Sequence, residues 1–183
     1  MLSIGLLLTQ SAAGLLNETN TSRESVPCVA AAEIFRDVVI PAARIGTKRS
    51  IVFRSTFSPR SAEPGIVGSR PSGLPSDLLA TFEHQGAVSA IASCGEVREV
   101  LKKQQLRFGP HWVRWGSGVD MNRHRRAVIY AISLPVLSAD GKQAVLAQDM
   151  DCGVRCGQSV FLHLNRTADG KWVVVREHSL GVS

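Results

Sequence analysis

The residues of this chain best suited to covalent chemistry are its four cysteines, Cys28, Cys94, Cys152 and Cys156. Cys152-Gly153-Val154-Arg155-Cys156 is a tight loop in which Arg155 would favour the neighbouring Cys156 thiolate. Thiol oxidoreductases, however, separate their pair by two residues and set it at a helix N-terminus, whereas this loop divides two runs of strand character. It reads instead as a structural clamp on a turn. In an oxidising compartment an even number of cysteines is most simply a set of disulfides, here Cys152 with Cys156 and Cys28 with Cys94. Zinc fits less well, because zinc ligand sets use paired Cys-x-x-Cys elements and two of these cysteines stand alone.

His84, His111, His124, His163 and His178 never fall in a His-x-x-x-His or Glu-x-x-His spacing, so no local metal site is expected. Gly-x-Ser-x-Gly elbows, phosphate-binding glycine loops and dinucleotide fingerprints are absent too, and no cofactor is expected. Two constellations remain. Arg107 to Asp120 (RFGPHWVRWGSGVD) sets aromatic edges beside glycine turns. His111, Trp112, Trp115 and Asp120 could line a ligand groove there, although core packing accounts for the tryptophans more simply. Arg123, Arg125 and Arg126 form the densest positive cluster, a candidate anion contact with no interleaved aromatic for base stacking. That argues against specific nucleic-acid binding and leaves a solvated strand edge as the plainer reading.

The elements that must position these residues follow from pattern. Ala127–Leu137, Gln143–Met150, Ser159–Leu164 and Trp172–Arg176 are rich in β-branched, aromatic and aliphatic residues. Asp140-Gly141 and Asp169-Gly170 supply the positive-φ residues that let antiparallel strands reverse. Val160, Leu162 and Leu164 should share one face, with Trp172 and Val174 joining them. Upstream, Pro27–Ala43 returns Val29, Ala32, Ile34, Phe35, Val38 and Val39 to one broad face, and Pro41 should end that helix. Ser50–Phe57 alternates as a strand. Ser58–Pro75 is a proline-rich loop, Ser76-Asp77 caps a short helix to about Gln85, and Gly95–Gln105 is a further helix with Glu ahead of Lys. The expected fold is α+β, with N-terminal helices on one face of a C-terminal four-stranded antiparallel meander, similar to cystatin-like or nuclear-transport-factor-like layouts.

The 183 residues suit one domain, and an apolar content of 44% lets burial drive folding. Residues 27–183 are assigned to that domain. Met1–Ala13 carries an apolar run ending in small residues and reads as a signal peptide, with residues 14–26 as a flexible arm. No segment approaches the roughly 20 apolar residues of a membrane span. Lys and Arg exceed Asp and Glu by 21 to 15, a net charge of +6 that raises encounter rates with polyanions without selecting one.

The run Ser138-Ala139-Asp140-Gly141-Lys142-Gln143-Ala144, then Cys152-Gly153 and Cys156-Gly157, then Leu162, then Asp169-Gly170-Lys171-Trp172 and a terminal Ser183 resembles a family of uncharacterised exported bacterial proteins. Its members carry a CGxxCG loop between two strands, a following G-K-W turn and a final W-x-S. The tryptophan of that ending is replaced here by Leu180-Gly181-Val182-Ser183. The resemblance covers the last third of the chain and implies a fold and an export route without implying a reaction. Together these features describe a small periplasmic or secreted binding or interaction module, non-catalytic, whose partner is a protein or an anionic envelope component. The alternative is an enzyme with its site in the concave face of a curved antiparallel sheet, His111 and Asp120 being its first candidates.

Overall fold

The computed structural model describes residues 26–45, 48–57, 73–85, 88–109, 127–152 and 157–182. The leader assigned to residues 1–13 and the arm assigned to 14–26 lie outside these except for Val26, which opens the first helix instead, and most of the proline-rich loop lies outside them too. The first helix, α1 (Val26–Ile34), runs without a break into a π-helical turn (Phe35–Val39) and then α2 (Ile40–Arg44). Pro41 therefore does not end the helix. A proline has no N–H to give the carbonyl one turn back. The chain absorbs this by widening ahead of it, where the Ile40 N–H bonds the Phe35 carbonyl five residues back.

Beyond the helices come β1 (Ser50–Arg54), α3 (Ser76–Gln85), α4 (Ala90–Ser93), α5 (Gly95–Lys103), β2 (Arg107–Gly109), β3 (Ala127–Ile132), β4 (Val136–Leu137), β5 (Gln143–Asp151), β6 (Gly157–Arg166) and β7 (Trp172–Val182). Helix α5 stops two residues short of the expected Gln105, because that residue takes a left-handed φ of 56° while the Leu106 N–H returns to the Leu101 carbonyl.

Instead of a four-stranded meander, the described residues form a mixed, mostly antiparallel seven-stranded sheet in the order β2-β1-β3-β5-β6-β7, with β4 paired to β5. Strands β2 and β3 flank β1 in parallel, and β3, β5, β6 and β7 succeed one another antiparallel. The single strand expected over Ala127–Leu137 is two. Pro135 cannot donate to a ladder, and Ser133 fills the gap, its backbone N–H donating to the Ala147 carbonyl and its Oγ accepting from the Ala147 N–H at 2.8 Å. The register against β5 slips by one between Ile132↔Gln148 and Val136↔Val145. Gly141 and Gly170 sit at φ 66° and 81°, so the two Asp-Gly turns form as their sequence requires.

Both faces of the sheet carry helix. On the inner face, Phe35, Val39, Ile91, Val97 and Leu101 from the helices pack on Phe53, Tyr130, Leu146, Leu162 and Leu164. On the outer face, Leu78, Leu79 and Phe82 of α3 pack on Val136, Val145 and Ala147, and Phe82 meets Phe161 edge-on at 5.1 Å. Sequence alternation anticipates the inward set Val160, Leu162 and Leu164, all buried, together with Trp172.

Trp172 is a polar anchor as well as an apolar one. Its Nε1 donates to Glu33 at 3.1 Å and its backbone N–H to Asp37 at 3.3 Å, while Arg166 grips both Glu33 oxygens at 2.9 and 3.0 Å. These bonds fasten the β6–β7 hairpin to α1 and the π-helical turn. Val174, expected to join the core, is 43% exposed instead, because β7 is the edge of the sheet and this anchorage to the helical layer is made at Trp172.

Candidate functional site

Cys28 and Cys94 are joined as the sequence suggests, 66 positions apart in the chain, linking the first turn of α1 to the residue that caps α5. Cys152 is also disulfide-bonded, while Cys156 falls in residues 153–156, outside the described set. Arg49 donates to the Cys152 carbonyl at 3.0 Å, so the end of β5 is tied to the approach to β1. His111, Trp112, Trp115 and Asp120, and equally Arg123, Arg125 and Arg126, lie outside the described residues. They belong to the segment that joins the end of β2 to the start of β3. Among the described residues, Cys28, Cys94 and Glu96 bring potential metal-ligand atoms within 4.8 Å of one another. The two sulfurs of that trio are bonded to each other, so thiolate ligation is closed to them.

The described polar surface with the most chemistry lies on the outer face of β5, β6 and β7. Val160, Leu162 and Leu164 point inward, so Ser159, Phe161, His163 and Asn165 point outward. Opposite them on β5 stand Asp149, Ala147, Val145 and Gln143. On β7 the facing residues are set by a bulge. Val174 pairs with Leu164, but the next pair is Arg176 with His163, leaving Val175 as the extra residue. Plain alternation from Trp172 would send Arg176 and His178 to the inner face. With the bulge, Arg176 stands across from His163, and His178 across from Phe161, on the outer face.

His163 Nε2 donates to Gln143 Oε1 at 3.1 Å, which leaves Nδ1 as the nitrogen that takes up a proton. Burial holds the His163 pKa below the usual histidine value, and the charges of Arg176 and His178 depress it further. His178 Nε2 and Asn165 Oδ1 are shielded from solvent and have no hydrogen-bond partner among the described residues. One wall of the patch is the chain leading into α3. Gly73, at φ +85°, lies so close to the Arg176 guanidinium that a Cβ there would collide with it. A second polar group on this face, Arg54, Asp149 and Asp151, is engaged in interactions of its own.

Sequence reasoning did not single out His163, Arg176 and His178 as one site. The strand alternation of β6 was a usable signal for His163. For Arg176 and His178 there was none, since the extra residue follows from the pairing with β6 and three consecutive valines give no mark of it.

No protein-family model matches the chain, and neither curated proteins nor solved structures yield a match to it.

Proposed function

We propose that this chain is a small exported, disulfide-tied binding module that works without catalysis in the periplasm or outside the cell. The observation that carries the reading is the buried Cys28–Cys94 bridge, together with an oxidised Cys152. Bridges of this kind persist where no thiol pool reduces them. The apolar run at Met1–Ala13 and the resemblance to exported proteins with a CGxxCG loop support the same compartment. Among the described residues no helix is long and apolar enough to cross a membrane. The antiparallel succession of β3, β5, β6 and β7 is the part of the fold that supports a cystatin-like or nuclear-transport-factor-like layout.

The enzyme alternative needs an open site on the sheet, and the inner face is the one covered by α1, the π-helical turn, α4 and α5. In the described residues that side is filled by Phe35, Phe53, Tyr130, Leu146 and Trp172, which favours binding by the outer face. The partner in this reading is a protein or an anionic component of the cell envelope, drawn by the positive charge of the chain. Capture from envelope extracts over graded salt, using the oxidised protein as bait, tests it. A saturable partner competed off by unlabelled protein is expected, and recovery of nothing specific at any salt concentration contradicts it.

A further inference from the structure

His163, Arg176 and His178 stand together on the outer face of β6 and β7, where none of the core contacts or the Trp172 anchor uses them. We propose that this cluster is a binding site for an oxyanion, the carboxylate or phosphate of a small ligand. The proposal rests on the reading of the protein as a binding module and names its ligand class. The chain spends an extra residue, Val175, in bringing Arg176 and His178 onto the face of His163, and bulges that re-aim side chains are characteristic of functional positions. A guanidinium offers a planar fork of donors matched to two oxygens of a carboxylate or phosphate. Arg176 has an interaction of its own, but five N–H groups leave it able to hold a further acceptor. Across from it, Gln143 fixes His163 through Nε2, so that the proton gained beside an anion goes to Nδ1. His178 brings a ring nitrogen that has no hydrogen-bond partner among the described residues.

The acidic groups of the neighbouring elements are Asp77 and Glu83 of α3, both exposed, Asp149 and Asp151 of β5, and on β7 itself Glu177, which accepts from Gln158 at 3.0 Å, while α3 also carries the exposed His84. Glu83 and Asp149 have interactions of their own. The forces on the His163 proton are burial, Arg176 and His178, with no carboxylate among them. An oxyanion would supply the missing negative charge.

The test titrates the oxidised full-length protein with sodium phosphate and, separately, sodium acetate, with NaCl holding ionic strength constant and the imidazole NMR signals of His163 and His178 as the readout. The expected result is a saturable shift of both rings and a rise in the His163 titration midpoint. Arg176→Gln should weaken binding by about tenfold or more, and Arg176→Lys by less. Saturation by phosphate alone assigns a phosphate-bearing ligand, and saturation by acetate assigns a carboxylate. Shifts that never saturate, that NaCl reproduces, or that persist in Arg176→Gln overturn the site. Thermal melting of each variant separates loss of binding from loss of fold. If the titrations fail while envelope capture survives Arg176→Gln, the binding-module reading stands and this site does not.

Discussion

His163 is held below the ordinary histidine pKa by burial and by two cationic neighbours. An unfolded chain would return it to about 6.5. Below that value the unfolded state takes up a proton that the folded state resists, so His163 favours folding above about pH 6.5 and ceases to do so as pH falls through its folded pKa. The denaturation midpoint should therefore drop between pH 7 and pH 5, and His163→Gln should flatten that part of the profile. An identical slope in the variant would assign the pH dependence to other groups. Trp172 is the other residue whose environment sets a clear expectation. It is 2% exposed, and its indole N–H is committed to Glu33. Trp172→Ala should cost about 3–5 kcal/mol in chemical denaturation. Trp172→Phe keeps most of the burial and removes the indole hydrogen bond from Glu33, which Arg166 still holds, for about 1–3 kcal/mol. Trp172 was readable as a core residue from its spacing against Val160, Leu162 and Leu164. Its polar partners were not, because Glu33 and Asp37 come from a helix more than 130 residues earlier.

Among the elements, those fixed by local chemistry were legible. The α3 helix begins at its Ser76-Asp77 cap and ends at Gln85, and both Asp-Gly turns lie where their dihedral needs put them. What escaped was pairing. Strand β1 was recognisable, but its parallel neighbours are brought to it across long connections, and a three-residue strand such as β2 has no period to read. The Val175 bulge belongs to the same class. Deleting Val175 should leave Val174 opposite Leu164 and Arg176 opposite His163, so both halves of the β6–β7 ladder keep their register. The deletion variant should melt cooperatively, lose no more than about 2 kcal/mol, and retain the depressed His163 titration. If β7 instead alternated without a bulge, deletion would move every residue from Arg176 onward to the opposite face of the sheet, and the cooperative melt would disappear.

At the scale of the whole molecule, the Cys28–Cys94 bridge ties α1 to the helical pair α4 and α5 across the first half of the domain. In the chain-entropy account a loop of 66 residues contributes roughly 4 kcal/mol, against roughly 2 for the short loop expected between Cys152 and Cys156. Cys28→Ser should therefore destabilise the protein by about 2 kcal/mol more than Cys152→Ser. Disulfide chemistry also joins the fold to the compartment. The most direct measurement is non-reducing peptide mapping of the protein recovered from the exported fraction. An exported, disulfide-tied module predicts a Cys28–Cys94 peptide pair, a separate Cys152–Cys156 peptide and a new N-terminus near Ala13. Four free thiols on a chain retained in the cytoplasm, or a Cys28–Cys152 link, would contradict it.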